Sequence, residues 1–207
     1  MLTKLAGRNL KKVFNRRVIF KEISFSLQPR QTLLIAGPNG SGKSTLVKII
    51  SGVLTPTDGE MRVIWNGSRE IHNLQPVIGL VSPYLQMYEE FSPKENLQFS
   101  LSARGQRSYF PDIQPLLESL QLAGRVDDPV RTFSSGMKQR VKYAFALVHR
   151  PPVLILDEPM ANLDSDGVEL VKSIMDRHRQ EGVLVVATNN VNDIDAYDLR
   201  VELGHDR

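Results

Sequence analysis

The feature that most constrains the fold of this chain is a short apolar run leading directly into a glycine-rich loop. Residues 33–36 read LLIA and residues 37–45 read GPNGSGKST. The second segment matches the spacing G-x-x-x-x-G-K-[ST], after a predicted strand and before a predicted helix, as the motif requires. Glycines let the backbone curl around an anion, and amides at the helix N-terminus then point at it. Residues 37–45, called the phosphate loop below, therefore predict a nucleotide-binding site.

Every residue of the phosphate loop is a candidate nucleotide ligand: Gly37, Pro38, Asn39, Gly40, Ser41, Gly42, Lys43, Ser44 and Thr45. Lys43 is expected to neutralise charge on the β- and γ-phosphates, and the Ser44 hydroxyl to ligate Mg²⁺. Thr45 is expected to reach the α-phosphate. The alternative is a glycine-rich turn that only caps a helix, and the strand–loop–helix setting makes such a chance match rare.

Short, wholly apolar runs recur along the chain and predict strands buried on both faces, which is typical of a parallel sheet. They span residues 33–36, 77–81, 153–156 and 183–187. Helical patterns at 44–50 and 166–180 separate some of these runs and indicate a doubly wound α/β domain. Alternating patterns at 18–20, 23–27 and 61–65 predict antiparallel strands that flank the main sheet. Residues from about 84 to 150 carry proline-broken helical patterns and predict a helical insertion.

Composition excludes several classes of function. Lys and Arg exceed Asp and Glu by only three, 26 against 23, and are interspersed with them, which argues against nucleic-acid binding. The absence of cysteine excludes disulfides, thiolate metal sites and thiol catalysis. No run approaches the roughly 18–20 apolar residues that cross a bilayer, and the N-terminus has no signal-like apolar core. We therefore expect a soluble protein whose membrane role, if it has one, depends on a partner.

Two carboxylates follow the apolar run at 153–156, namely Asp157 and Glu158. The carboxyl ends of strands are where open α/β sheets bind their ligands. Asp157 is expected to hold the Mg²⁺ shell, and Glu158 to orient or deprotonate the attacking water. Taken alone, this pair would be interpreted as ordinary polar capping of a strand end. Its combination with the phosphate loop favours the metal-and-base interpretation.

A third motif distinguishes among the many classes of protein that carry a phosphate loop. Residues 133–140 read FSSGMKQR and open a helical pattern. At this point the chain resembles the ABC ATPase superfamily, whose signature is usually written LSGGQ. Ser134 and Gly136 match that signature, whereas Phe133, Ser135 and Met137 depart from it. Residues 161–164, ANLD, resemble the D-loop of the same family, and the resemblance covers essentially the whole chain.

The resemblance implies a fold, ligands and a partner. The fold class is α/β, a P-loop NTPase core with a mixed, mainly parallel sheet, an N-terminal antiparallel β subdomain and a helical insertion. Residues 1–207 would form a single ABC ATPase domain, with 84–150 inserted in the nucleotide-binding core. ATP and Mg²⁺ are the implied cofactors.

Two subunits would dock head to tail, so that Ser134, Ser135 and Gly136 of one subunit contact the γ-phosphate bound to the other. Phe14 stands where the family has an aromatic that stacks on adenine, and a core phenylalanine is an equally favoured interpretation.

Two positions depart from the family pattern. Pro83 stands where the family has a glutamine that touches Mg²⁺ and water, and proline offers no side-chain hydrogen bond. Gln86 would replace that glutamine if the loop is remodelled. Asn189 stands where the family has a histidine on the γ-phosphate, and it can donate a hydrogen bond but cannot become cationic. We therefore expect ATP binding and dimerisation, with slow or partner-dependent hydrolysis in which Glu158 and Asn189 act.

The function that the resemblance implies is the ATPase motor of a membrane transporter, similar to compact exporter ATPases. Its partners would be a separate membrane-spanning subunit and a second copy of this chain or a similar ATPase subunit. The chain would be cytoplasmic, peripheral on the inner face of the cell membrane. Large apolar side chains at 84–91 suit a groove for a short helix of that partner, although packing within the helical lobe explains them equally well. Two alternatives stay open, a soluble ABC ATPase of the iron–sulfur assembly type and a weakly catalytic, nucleotide-gated interaction module.

Overall fold

The computed structural model describes residues 1–67, 69–161 and 163–204 of the chain. Its strands are β1 (Leu2–Phe14), β2 (Arg17–Leu27), β3 (Thr32–Ala36), β4 (Asp58–Trp65), β5 (Arg69–Glu70), β6 (Ile78–Val81), β7 (Val153–Asp157), β8 (Val183–Thr188) and β9 (Leu199–Glu202). Its α-helices are α1 (Lys43–Ile50), α2 (Pro93–Ala103), α3 (Ile113–Ser119), α4 (Ser135–Leu147) and α5 (Ser165–Arg179). The four predicted apolar strands correspond to β3, β6, β7 and β8, and the two predicted helices to α1 and α5.

The main sheet has five strands in the order β6-β7-β8-β3-β9, and all of its pairings are parallel. Successive side chains of a strand point to opposite faces of its sheet. Leu34 and Leu154 accordingly belong to one apolar core, whereas Ile35 and Ile155 belong to another. Both faces are therefore buried, which explains why these strands lack the apolar–polar alternation of a half-exposed sheet.

Different elements cover the two faces. Helix α1 and the antiparallel strands pack on one face, where Leu46, Ile49 and Phe25 join the core. Helices α4 and α5 pack on the other, where Val141 and Ile174 are buried. The structure is thus an α/β core of the predicted class, with a separate antiparallel sheet in the order β2-β1-β4-β5.

The hairpin β1–β2 projects from the antiparallel sheet. Its turn consists of Asn15 and Arg16, which both have positive φ, at 48° and 67°. A two-residue turn with two left-handed residues matches the twist of antiparallel strands. Phe14 and Arg17 form the last pair of the ladder. The hairpin therefore presents Phe14 near its tip.

Helices α2, α3 and α4 occupy the chain between β6 and β7, where the sequence predicted helical insertion. Ser92 begins α2 with a capping box, since its hydroxyl accepts from the Glu95 amide and the Glu95 carboxylate accepts from the Ser92 amide. The bond from the Ser92 amide to the carboxylate is the main cause that lowers the pKa of Glu95. Across the described residues, no helix combines the length and hydrophobicity needed to cross a bilayer.

A buried histidine joins the helical segment to the main sheet. His149 Nε2 lies 3.1 Å from the carbonyl oxygen of Ile78, and the Arg104 guanidinium at the end of α2 lies 3.1–3.3 Å from the two ring nitrogens. Burial, together with the Arg104 charge, lowers the pKa of His149 to about 4. The imidazole is therefore neutral near pH 7, and it joins α2 to β6 through Arg104 and Ile78.

Gly79 on β6 gives a prediction about stability. A Cβ at this position would lie 2.3 Å from the Ala146 carbonyl oxygen and 2.7 Å from Cγ of Pro151. Because the first of these atoms is backbone, Gly79→Ala is expected to lower the free energy of unfolding by about 2 kcal/mol. Urea denaturation measures this change. Gly124→Ala is the matched control, since a Cβ there meets nothing within 4 Å. Equal stability of Gly79→Ala and the wild type would show that β6 and α4 separate at little cost.

Candidate functional site

The candidate site lies where three neighbouring parallel strands end. Strands β7, β8 and β3 are adjacent in the sheet, with Asp157 paired to Ala187 and Ala36 paired to Thr188. The phosphate loop follows β3, Glu158 follows β7 and Asn189 follows β8. Three segments far apart in sequence therefore meet at one edge of the sheet, which is the ligand-binding edge of open α/β sheets.

The phosphate loop turns sharply from β3 into α1. Helix α1 begins at Lys43, and the Leu46 amide donates to the Gly42 carbonyl at 2.9 Å. The amides that precede Leu46 in the first turn have no carbonyl acceptor within the helix, because no helical residue lies one turn before them. Gly42 has φ of 106°, and a Cβ there would lie 2.6 Å from a methyl carbon of Ile19. Glycine is therefore required both by the backbone and by the close approach of the β1–β2 hairpin.

Lys43 is buried within this loop, with 5% of its side chain exposed. Its Nζ atom donates to the carbonyl oxygens of Gly37 and Pro38, at 2.8 and 3.2 Å. The same atom lies 3.2 Å from Oε1 of Glu158. The ammonium is thus fixed between the loop and the end of β7, where it can pair with an added phosphate.

Glu158 adopts an uncommon backbone conformation, with φ of 50°. Its amide donates to the Ala187 carbonyl at 2.8 Å, which extends the pairing of β7 with β8 beyond Asp157. Its second carboxylate oxygen, Oε2, accepts from the Asn189 amide at 3.4 Å. Positive φ in a residue other than glycine costs on the order of 1 kcal/mol and is frequent at active sites. The carboxylate is held between two strand ends, with a quarter of it open to solvent.

Asn189 links the end of β8 to the phosphate loop. Its side-chain Nδ2 donates to Oδ1 of Asn39 at 3.2 Å, while its amide donates to Glu158. The sequence analysis placed Asn189 near the γ-phosphate but did not foresee its bond to Asn39, because nothing in the local pattern reports a contact between residues so far apart. Lys43, Glu158, Asn189 and Asn39 form one connected polar cluster.

Asp157 and Ser44 provide oxygen donors beside this cluster. Asp157 is 1% exposed, and neither of its carboxylate oxygens has a hydrogen bond of normal geometry. Burial raises the pKa of this carboxyl, and the nearby Ser44 hydroxyl acts in the opposite direction. A buried carboxylate without a hydrogen-bond partner, beside a hydroxyl oxygen, fits Mg²⁺. The described residues contain no group of three or more His, Cys, Asp or Glu that could hold a metal by itself, so further ligands would come from phosphate and water.

Residues 133–140, called the signature-like segment below, contain the N-cap and the beginning of α4. Ser134 caps the helix by accepting from the Met137 amide at 3.3 Å, Ser135 is its first residue, and a Cβ on Gly136 would meet nothing within 4 Å. Among the described residues, no hydrogen bond or ion pair joins 134–136 to the phosphate loop. The structure therefore does not bring these residues to the cluster of their own subunit. Asn162 of the D-loop-like segment lies outside the described residues.

Phe14 lies near the tip of the β1–β2 hairpin and is 44% exposed. The alternative interpretation as a core phenylalanine is therefore wrong. Its ring faces the Lys12 ammonium, which lies 4.9 Å from the ring centroid. Stacking on a base requires an aromatic face that is partly open to solvent, and the Phe14 ring meets that requirement.

The segment after β6 faces the beginning of α4. Pro83 offers its carbonyl oxygen to Lys142 Nζ at 3.3 Å, and burial lowers the pKa of Lys142. Gln86 is exposed and lines a cavity of about 550 Å³ together with Ser135 and Gln139. The replacement of the missing glutamine by Gln86 stays a prediction.

A second cavity, of about 450 Å³, is an apolar groove between the helical segment and the main sheet. Its lining includes Leu80, Met87, Tyr88, Phe99 and Phe145. Tyr88 and Phe99 are 56% and 50% exposed, and their rings meet edge to face with centroids 5.2 Å apart. Packing inside the helical segment therefore accounts for Met87, which contacts the core, but not for these exposed rings.

Comparison with known proteins agrees with this geometry. The family model described as ABC transporter matches residues 20–161. The cytochrome c biogenesis ATP-binding export protein of Nitrosomonas europaea is 34% identical over 190 residues, which cover 90% of this chain and 88% of that protein. A solved ATP-binding subunit of an ABC transporter superposes with a TM-score of 0.85 at 25% identity, covering 97% of this chain and 86% of that one. A dimeric bacterial ABC transporter cassette has a TM-score of 0.80 at 22% identity, covering 96% and 94%.

Proposed function

The chain belongs to the ABC transporter family, and on that premise we propose that it hydrolyses ATP to drive a transporter whose membrane-spanning part is another chain. It is an ATPase of this family. The observation that carries the proposal is the polar cluster at the strand ends, where Glu158 contacts both Lys43 and Asn189 and follows Asp157 in the chain. A cation for phosphate, a carboxylate for water and oxygens for a metal are the elements that phosphoryl transfer needs.

In this proposal the phosphate loop and the residues at the strand ends have distinct roles. The phosphate loop amides and Lys43 bind the triphosphate, and the Lys43 ammonium moves its contact from Glu158 to a phosphate oxygen. Glu158 then accepts a proton from the attacking water. Asn189 donates to the γ-phosphate. Ser44 and Asp157 would hold Mg²⁺, which supplies charge neutralisation on the β- and γ-phosphates.

We propose that the same domain, residues 1–207 with an inserted helical lobe at about 84–150, works as a pair. The N-terminus of α4 supports this, since among the described residues no hydrogen bond or ion pair joins Ser134, Ser135 or Gly136 to the phosphate loop of the same subunit. Two copies docked head to tail would place these residues on the nucleotide of the partner. Pairing with a similar ATPase subunit would use the same contact.

We also propose that the apolar groove docks a short helix of the membrane-spanning subunit, which would hold the chain on the inner face of the membrane. Exposed aromatic rings around a concave apolar floor suit a helix in a groove. The exposed Tyr88 and Phe99 rings favour an ATPase that docks a partner over one that acts alone. The transported substrate would be selected by the membrane subunit.

Hydrolysis by the purified chain is expected to be slow and to rise when the membrane subunit is added. Pro83 contributes no side-chain donor and Asn189 cannot become cationic, so the site lacks two groups that assist hydrolysis in the family. The measurement is phosphate release by the chain alone and after co-expression with a multi-span protein from the adjacent reading frame. Vigorous release without a partner, unchanged in Asn189→Ala, would contradict this expectation. No release with any partner would favour the nucleotide-gated interaction module.

Phe99→Asp tests the groove through co-purification of the chain with the same membrane subunit. The substitution is expected to weaken binding of the membrane subunit by at least about tenfold, because it places a charge on an exposed aromatic anchor. The slow basal rate should not change. Tyr197→Asp is the matched control, since Tyr197 is 40% exposed but does not line the groove. Equal loss of partner binding in both variants would place the contact elsewhere.

A further inference from the structure

Lys12, on β1, makes two contacts that the proposed function does not use. Its Nζ atom donates to the Thr55 carbonyl oxygen at 2.8 Å. The same ammonium lies 4.9 Å from the centroid of the Phe14 ring. A lysine ammonium within about 6 Å of an aromatic face is attracted to it. Lys12 therefore connects the ring near the hairpin tip to residue 55.

The segment at residue 55 is itself attached to the nucleotide-binding core. It follows α1, the helix that begins in the phosphate loop, and the Leu54 amide donates to the Lys48 carbonyl at 2.9 Å. Two further bonds tie the segment to the hairpin: the Thr57 amide donates to the Lys11 carbonyl at 2.8 Å, and Thr57 Oγ1 accepts from the Val13 amide at 3.0 Å. The position of the hairpin is thus fixed relative to α1.

The hairpin also reaches the phosphate loop. Ile19, on β2, approaches Gly42 so closely that a Cβ there would lie 2.6 Å from its methyl carbon. Phe14 lies on the neighbouring strand, paired with Arg17. A partly exposed ring on a strand end is free to change rotamer unless a neighbour holds it, and fixing a rotamer when a ligand binds weakens the observed affinity.

We propose that Lys12 is a positioning residue for nucleotide binding, which holds the Phe14 ring in the orientation that stacks on adenine. The proposal rests on the proposed ATP-binding function, and in particular on the adenine-stacking role that the family resemblance implies for Phe14. Lys12 acts through the ring: its ammonium contacts the Thr55 carbonyl and the Phe14 ring, and among the described residues no hydrogen bond joins it to the phosphate loop. It should therefore affect binding of the base and leave binding of the triphosphate unchanged.

The experiment compares ATP with inorganic tripolyphosphate, each titrated with magnesium into the full chain. Lys12→Met keeps the aliphatic stem and removes the charge. We expect it to weaken ATP binding by about threefold to fivefold and to leave tripolyphosphate binding within about twofold. Lys11→Met is the matched control, since it removes the same charge from the neighbouring residue, and neither ligand should respond to it. Lys12→Arg keeps a cation over the ring and should retain ATP affinity.

Phe14→Ala distinguishes an error about the role of Lys12 from an error about the stacking of Phe14 on adenine. Loss of base stacking is expected to weaken ATP binding by about tenfold, and Lys12→Met added to Phe14→Ala should weaken it no further. Unchanged ATP affinity in Phe14→Ala would show that Phe14 does not stack on the base. A weakened Phe14→Ala with an unaffected Lys12→Met would overturn the role of Lys12 alone. Equal weakening of both ligands by Lys12→Met, or an Arg variant as weak as Met, would also overturn it.

Discussion

Glu158→Gln is expected to lower phosphate release by at least about 100-fold, because removal of a positioned general base has costs of that order. ATP binding should persist in the same variant. In the structure one carboxylate oxygen contacts Lys43 and the other accepts from the Asn189 amide. Glutamine has the same shape and keeps one accepting oxygen, so the site should remain folded. It cannot take a proton from water, and the ATP-bound pair of subunits should accumulate.

Two measurements check this result, phosphate release in single and multiple turnover and size-exclusion chromatography with ATP and magnesium. Glu169→Gln provides the matched control. It makes the same change of charge at an exposed position of α5, away from the strand ends, and should behave as the wild type. Release by Glu158→Gln within about threefold of the wild type would exclude Glu158 as the base. Complete absence of an ATP-dependent dimer in that variant would remove the proposed pairing.

The main strands could be predicted from the sequence because burial on both faces favours apolar residues at successive positions of the strand. Each of β3, β7 and β8 is wholly buried, and each appears in the sequence as an unbroken apolar run. The antiparallel strand β1 has no such apolar run in its sequence. Its register with β2 shifts at several points, which interrupts the alternation that a regular half-exposed strand would display. The sequence analysis consequently identified β2 but not the thirteen residues of β1.

Strand β9 was missed for a related reason. It pairs with β3 at the edge of the main sheet, and most of its residues are exposed. An edge strand carries little hydrophobic signal, and its parallel pairing depends on a contact with residues more than 160 positions earlier. Only the folded chain shows that the residue after β9, Leu203, donates its amide to Ala36 and closes against the phosphate loop.

In the candidate site, too, local motifs could be predicted from the sequence and contacts between distant residues could not. The phosphate loop and the Asp157–Glu158 pair could be identified because each motif is contiguous and its chemistry follows from residue type. The contacts between motifs depend on the order of strands, which places β8 between β7 and β3. The Asn189–Asn39 bond, the Lys43–Glu158 pair and the Lys12 bond to the Thr55 carbonyl all join segments that lie far apart in the sequence, and no spacing within a motif predicts them.

Gly136→Asp is expected to reduce hydrolysis by at least about 100-fold while leaving the folded monomer and its ATP binding intact. A Cβ on Gly136 meets nothing within 4 Å, and an acidic residue in the first turn of a helix is favourable, so α4 should tolerate the change. In the proposed pair, however, the new carboxylate would face the γ-phosphate bound by the other subunit. Charge repulsion there should prevent closure. Gly124→Asp, at another open glycine of the helical segment, is the matched control and should retain activity.

Mixing two inactive variants tests whether the site is shared between subunits. Lys43→Ala removes the cation of the phosphate loop, and Gly136→Asp blocks the signature-like helix. If each site combines Lys43 of one subunit with Gly136 of the other, a mixed pair contains one intact site and one doubly altered site. Equal mixing should make half of the pairs mixed, so about a quarter of all sites would be intact and release of phosphate should reappear. A site built within a single subunit predicts no recovery at any ratio, because every subunit in the mixture then carries a disabling change.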